Sequence, residues 1–295
     1  MVIPTRDRPA QLQACLAALG RQTLPGRRFE VVVVDDGSTA PLAPAVPTGL
    51  EVTLVRQPHA GVAAARNAGA ARARGAVVAF TDDDCVPDPE WLERLLASVA
   101  IDPGALHAGP VESAPGVGLL AEASQDLITF LVEHDNAGAD DACFATGNNL
   151  ALARSVLEQL GGFDARRMPL AAGEERELCE RARRAGIALR LVPDARVLHV
   201  NPMSLPGFLR LHHRYGRGAR LLHRTRPGRQ RALPARPARF YGSLVLSPLR
   251  PAPSARGLAV ASLLALSQAA HAIGYATETL APTREPAAHR RWAGL

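Results

Sequence analysis

The sequence predicts an α/β fold, and three observations carry that reading. Two unbroken apolar runs, in "FEVVVVDDGS" (residues 29–38) and "AVVAF" (residues 76–80), mark strands covered on both faces. Helical stretches separate the strand candidates, in the order strand, helix, strand, strand, helix, strand. Both strong strands end in acids: Asp35 and Asp36 after the first, Asp82, Asp83 and Asp84 after the second.

The elements follow in order. "VIP" is a first strand, short for a buried one, which suggests a start further upstream. In "PAQLQACLAAL", Leu12, Cys15, Leu16 and Leu19 recur at helical spacing behind a proline suited to a first turn. "EVTLV" (51–55) is a further strand and "GVAAARNAGAARAR" (61–74) an Ala-rich helix. Asp88 is placed to cap a helix that Pro89 begins, with Trp91, Leu92, Leu95, Leu96 and Val99 as its buried stripe. Residues 103–141 show no clear period. A second block runs from "CFATGNNLALARSVLEQLGGFD" through the helix "GEERELCERARRAG" to the strands "IALRLV" and "ARVLHV". A Pro- and Arg-rich tail follows Asn201 and contains one more apolar segment, residues 257–280.

At 295 residues, 47% apolar and 21% charged, the chain can bury a sizeable core and is neither a disordered nor a multi-span membrane sequence. Cys15, Cys85, Cys143 and Cys179 form no C-x-x-C pair, which points away from zinc or a disulfide framework and toward a reducing, cytoplasmic home. The N-terminus has no signal-peptide pattern. The net charge of +6 is unevenly spread: residues 195–277 contain no Asp or Glu, and every full charge there is an arginine. That stretch is expected to seek an anion.

Three adjacent carboxylates repel one another, so residues 82–84 call for a cation. With strand alternation continued through them, Asp82 and Asp84 face one side and Asp83 the other. At the carboxyl end of a strand in an open α/β sheet, that side meets a ligand. A few hard oxygens suit Mg²⁺ or Mn²⁺, whose other ligands would be water and a diphosphate. Strand termination and helix capping are the plainer alternative.

The strings "VIPTRDRP", "VVVVDDGS", "GVAAARNAG", "FTDDDC", "GNNLALARSVLEQLGGFD", "GEERELCERARRAG" and "VPDARVLHV", in this order, resemble family-two inverting glycosyltransferases of the GT-A fold. The resemblance implies a mostly parallel central sheet flanked by helices. It divides the chain into a nucleotide-sugar-binding half (1–100), an acceptor half (101–201) and a basic helical extension (202–295). By the same resemblance Thr5 and Asp36 sit on the nucleoside, Asp36 accepting a hydrogen bond from the base. UDP, GDP and dTDP donors all offer a suitable N–H. Asp35 suits a turn-holding role instead. Arg66 and Asn67 match an Arg-Asn pair beside the donor, with a solvated helix face as the other reading.

Asp82 and Asp84 correspond to the D-x-D element, with Asp84 as the direct metal contact and Asp83 beside them on the nucleotide-sugar. His199 falls where relatives place a histidine near metal and phosphates. The base for the acceptor hydroxyl corresponds to Glu175, in a Glu174-Glu175 pair where the family has Glu-Asp. The change lengthens the arm by one methylene and keeps a similar intrinsic pKa. Acids also simply favour a helix N-terminus. Asn148 and Asn149 match the acceptor side, where they orient a sugar hydroxyl or pin a turn.

The function implied is metal-dependent, inverting transfer of a sugar from a nucleotide-diphospho-sugar to a hydroxyl of a glycan or lipid-linked acceptor, with Mn²⁺ or Mg²⁺ and without nucleic acid. Two other readings stand beside it. One is a catalytically silent sugar-nucleotide binder or membrane-surface assembly protein. The other is a sugar nucleotidyltransferase, which "VIPTRDRP" disfavours for want of glycines. The basic extension has two candidate partners, an anionic membrane at the inner face of the cell membrane and an anionic acceptor. Within residues 257–277, Ser267, Gln268 and His271 share one helix side, and Leu266, Ala269 and Ile273 lie toward the other. This segment is expected to pack on the domain or lie at a membrane surface, not to span one.

Overall fold

A computed structural model describes residues 1–137, 142–226, 236–250 and 253–281. Strand β1 (Val2–Thr5) is followed by α1 (Pro9–Leu19), β2 (Glu30–Asp35), β3 (Glu51–Arg56), α2 (Val62–Arg72) and β4 (Val77–Phe80), in the expected order. β3, β2, β1 and β4 lie side by side and parallel. Val31 and Val33 enter the core under α1, whereas Val32 and Val34 enter the one under α2. This two-sided burial is why β2 reads as an unbroken valine run. β3 is the sheet edge and stays partly exposed.

Next come β5 (Cys85–Pro87) and α3 (Trp91–Ile101), which buries Trp91, Leu92, Leu95 and Val99 of the expected stripe, and the stretch from residue 103 without a clear period holds β6 (Leu106–Ala108), β7 (Val111–Ser113) and α4 (Leu119–Asn136). Strands of three residues are too short to show alternation. The expected cap at Asp88 is not made, because Pro89 and Glu90 form a turn and α3 begins at Trp91. Asp88 instead accepts from Trp91 N through its carbonyl (3.0 Å), and its carboxylate lies 3.3 Å from Arg196 Nε.

The second block gives β8 (Leu150–Ala153), α5 (Arg154–Leu160), α6 (Glu174–Arg184), β9 (Leu189–Leu191) and β10 (Val197–His199). β8 runs antiparallel between β4 and β6 and completes a seven-stranded sheet of order β3-β2-β1-β4-β8-β6-β9. β5, β10 and β7 form a second, three-stranded sheet, whose register sets His199 opposite Cys85, next to the three aspartates.

Beyond residue 201 the chain forms α7 (Leu205–Thr225), α8 (Ala238–Leu246) and α9 (Ala255–Leu280). Ser204 and Ser254 cap α7 and α9 by accepting from Gly207 N and Gly257 N. The three helices share a further core with α4, including Leu127, Phe208, Phe240, Leu244 and Leu264. α7 and α9 touch backbone to backbone. A Cβ on Gly216 would lie 1.9 Å from the His271 carbonyl oxygen, and one on Gly274 would lie 1.9 Å from that of His213. Glu278 of α9 is buried between Arg217 (2.9 Å) and Arg224 (3.6 Å) of α7. The described parts of the extension, residues 202–226, 236–250 and 253–281, are thus packed on α4 and on one another; its other residues lie outside the described ones.

Candidate active site

β1 and β2 end level, with Thr5 opposite Asp35, β4 stops lower with Phe80 opposite Val2, and a cleft of about 850 Å³ opens beyond their carboxyl ends. β4 stops at Phe80, so the three aspartates follow on a turn, with Cys85 N donating to the Asp82 carbonyl (3.2 Å). Strand alternation therefore does not govern them, and the expected division is overturned. Asp83 and Asp84 share Arg8, whose Nη1 is 3.2 Å from Asp83 Oδ1 and 2.7 Å from Asp84 Oδ2. Asp82 turns instead to Arg66 Nη2, 2.8 Å away. All three still line the cleft.

Thr5, at the end of β1, donates to Asp83 Oδ2 (2.7 Å). Burial and the Asp84 charge push Asp83 up to about 6, against the pull of Thr5 and Arg8. Asp84 goes the other way: burial would raise it, but His199 and Arg8 outweigh that and lower it. Arg8 was not foreseen, because only the turn after Phe80 brings it to these acids.

His199 Nε2 lies 3.4 Å from Asp84 Oδ1, and its Nδ1 lies 3.1 Å from Gln125 Oε1. Gln125 Nε2 donates to the Val111 carbonyl (2.9 Å), which directs the amide oxygen at the imidazole. Nδ1 must then donate, and Nε2 is left facing Asp84. Gln125 sits on α4, in the stretch without a legible period, and no sequence signal marks it. Among the described residues no group of three His, Cys, Asp or Glu could hold a metal. The arrangement fits Mn²⁺ or Mg²⁺ only as a two-ligand site at Asp84 and His199, completed by diphosphate and water. Asp82, expected as a further ligand, is held away by Arg66.

Arg66 is 2% exposed, so the solvated-face reading does not hold. Its Nη1 donates to Glu174 Oε1 at 3.0 Å. Gly147 leaves the space for it, since a Cβ there would lie 2.7 Å from that nitrogen. Burial alone would lower Arg66, but Asp82 and Glu174 hold it firmly charged. Asn67 takes no part in the cleft; it exchanges two 2.8 Å hydrogen bonds with the Phe163 backbone and ties α2 to the turn after α5. Glu174, 5% exposed, is raised by burial and by its neighbour Glu175, against Arg66. Glu175, half-buried on the same first turn of α6, faces the cleft with no hydrogen-bond or ion-pair partner among the described residues.

Asp36 lines the cleft with its acceptor sites filled: Gln57 Nε2 and Ala60 N bond Oδ1, and His59 Nδ1 and Gly61 N bond Oδ2, all within 2.9 Å. A base N–H can reach it only where Gln57 or His59 yields. Asp35 holds the turn, accepting from Ser38 N (2.8 Å). Asn148 faces the cleft, and its Oδ1 is buried without a partner. Asn149 does not reach it: fully buried, it accepts from Trp91 Nε1 (2.8 Å) and donates to the Pro110 and Ala195 carbonyls (2.9 and 2.8 Å). The far wall comes from the extension, through Arg214 and Tyr215 of α7 and Gln268 and His271 of α9.

A carboxylate-rich cleft on the carboxyl edge of this mixed sheet defines a glycosyltransferase-type GT-A fold. Residues 1–161 match the family described as glycosyl transferase family 2, and the chain belongs to that family. Among curated relatives, glycosyltransferase AglE of Haloferax volcanii is 32% identical over 201 residues, 66% of this chain and 64% of that protein. The pre-mycofactocin glycosyltransferase of Mycobacterium tuberculosis is 29% identical over 232 residues, 74% of this chain and 46% of that protein. The chain thus spans less than two thirds of either. The mannosyltransferase PcManGT of Pyrobaculum calidifontis, solved with GDP-Man and Mn²⁺, superposes with a TM-score of 0.57 at 21% identity, over 94% of this chain and 76% of that one. GalNAc-T7, solved with UDP, GalNAc and Mn²⁺, gives 0.54 at 18% identity, over 72% and 47%.

Proposed function

We propose that this chain transfers a sugar from a nucleotide-diphospho-sugar to an acceptor hydroxyl, inverting the anomeric carbon. The observation that carries the reading is Glu175, an unpaired carboxylate facing the same cleft as the Asp84–His199 pair. Glu175 takes the acceptor hydroxyl proton as the oxygen attacks the anomeric carbon from the side opposite the diphosphate, whose bond to that carbon breaks. Arg66 fixes Asp82 and Glu174, so the donor side and the α6 helix keep one spacing. Thr5 and Asp83 position the donor beside Asp84, and Asn148 offers a free acceptor atom to a hydroxyl. Asp84 and His199 would hold a divalent ion, which when bound would supply positive charge to the departing diphosphate. Arg8 is placed to exchange its carboxylates for a phosphate.

The GDP-Man and Mn²⁺ of one structural neighbour, and the UDP, GalNAc and Mn²⁺ of the other, support a sugar-nucleotide donor and a divalent ion here. The acceptor proposed is a glycan or lipid-linked hydroxyl on the cytoplasmic side of a membrane. The test is a screen of UDP-, GDP- and dTDP-sugars for Mn²⁺-dependent thermal stabilisation, followed by nucleoside-diphosphate release with trial acceptors. Binding without release or donor hydrolysis would favour a silent sugar-nucleotide binder.

A further inference from the structure

The inner face of α9 packs into the core through Val260, Ala261, Leu264 and Ala270, and yet its outer face is apolar too, unlike that of a surface helix in water. Ser267 is 0% exposed, and Gln268 and His271 turn into the cleft. On the opposite side Leu258, Leu266, Ala269, Ile273, Ala276 and Leu280 are all exposed, Ile273 at 62% and Leu280 at 85%. Their spacings of three, four, seven and eight make one stripe, about 33 Å long at the α-helical rise. Ser262 lies within it, with its hydroxyl bonded back to the Leu258 carbonyl (2.9 Å). The stripe carries no charge.

We infer that this stripe docks on the surface of an anionic lipid bilayer. By length and composition α9 could cross a membrane. Its other face, however, is fastened to α7 by the Gly216 and Gly274 contacts and by buried Glu278, so only the outer stripe is available to lipid. Charge selects the partner. α7, α8 and α9 bear arginines and, from residue 195 to 277, no acid, while α4, which also packs on α9, brings Glu122, paired with Arg256. Arg239 and Arg250 are exposed and have no carboxylate partner among the described residues. Pro248 and Leu249 touch Gly257, which brings Arg250 to the start of α9, where Leu246 is also 55% exposed. Pairing with a second copy would bring like charges together, whereas anionic headgroups complement them. An apolar stripe flanked by arginines is what interfacial helices present. The inference is independent of the sugar chemistry proposed above.

The test is co-sedimentation of the full chain with phosphatidylglycerol/phosphatidylcholine vesicles and with pure phosphatidylcholine vesicles, at low and high salt. The double substitution Leu266→Ser/Ile273→Ser is compared with the unsubstituted chain, and Leu266→Gln alone is a milder second variant. Both positions are exposed, so the thermal midpoint should hold. The expected result is preferential binding to the anionic vesicles, weakened by salt, and a loss in partitioning of about ten-fold or more in the double variant. Equal binding by both proteins, or no binding by the unsubstituted chain, overturns the inference. A concentration-dependent dimer that the substitutions abolish, without vesicle binding, also overturns it and assigns the stripe to a second copy. Donor-nucleotide binding in the same samples reports separately on the proposed transfer.

Discussion

Arg66 Nη1 lies 3.0 Å from Glu174 Oε1 and joins two buried side chains 108 residues apart. The bond sets the α6 N-terminus against the aspartate turn, since the same guanidinium also holds Asp82. One arginine thereby fixes the distance between the Asp84 end of the cleft and Glu175.

Replacing Arg66 should expose how much the fold depends on that pairing. Burial and Glu175 push Glu174 up to about 8, so Arg66→Met strands an ionised carboxylate above that pH, where a loss on the order of 3–5 kcal/mol is expected in urea unfolding. The loss should shrink as pH falls, because a protonated Glu174 no longer needs the cation. Arg66→Met/Glu174→Gln should recover part of it. A single variant as stable as the parent would mean that Arg66 is not holding the charge.

Glu175→Gln should keep donor affinity and lower turnover by about a hundred-fold or more, the scale of losing a general base. Glu174→Gln should act mainly on stability. The check is nucleoside-diphosphate release beside donor titration, and the assignment moves to Glu174 if the two effects are exchanged.

Gln125 orients His199, so Gln125→Leu should weaken Mn²⁺ binding in the presence of nucleoside diphosphate by about ten-fold or more. Gln125→Glu keeps an acceptor at Nδ1 but loses the donor to the Val111 carbonyl, and should restore only part of it. Asp84→Asn should lose the ion. Electron paramagnetic resonance of free Mn²⁺ reads all three.

His212 of α7 is fully buried, with neither ring nitrogen hydrogen-bonded. Burial, and secondarily His271, lower it to about 4. Its folded value lies below the unfolded one near 6.5, so the unfolded chain binds the extra proton first. His212 therefore costs no stability above about pH 6.5, and stability is lost as pH falls from there toward 4, by on the order of 2–3 kcal/mol. His212→Leu should flatten that acid limb when melting temperature is followed against pH. An unchanged limb would place the acid sensitivity elsewhere.

β2 and β4 could be read from the chain because buried parallel strands need unbroken apolar runs, and the acids after them mark the sheet edge. Glu175 and His199 were reached through the order of the surrounding motifs. Arg8 and Gln125 were not. Each matters only through a tertiary neighbour, and neither residue type nor spacing announces it. Asp82 was misplaced for a local reason: one strand ending at Phe80 changes which way three side chains point. Gln268 and His271 were read as the polar side of a helix, correctly, but a sequence does not say whether a polar side meets water or a cleft.

Part of the far wall of the cleft is supplied by α9, which is synthesised long after the aspartate turn it faces. During synthesis the edge carrying Asp84 leaves the ribosome first, and α9 follows by roughly 10–40 s at ordinary elongation rates. In that interval the cleft is open on one side, and the core shared by α4, α7, α8 and α9 cannot form. A message cut short after α6 would still encode Asp84 and Glu175. It would yield a protein whose Leu127 and neighbouring α4 side chains face solvent, a target for quality control, not a smaller working version of the same molecule.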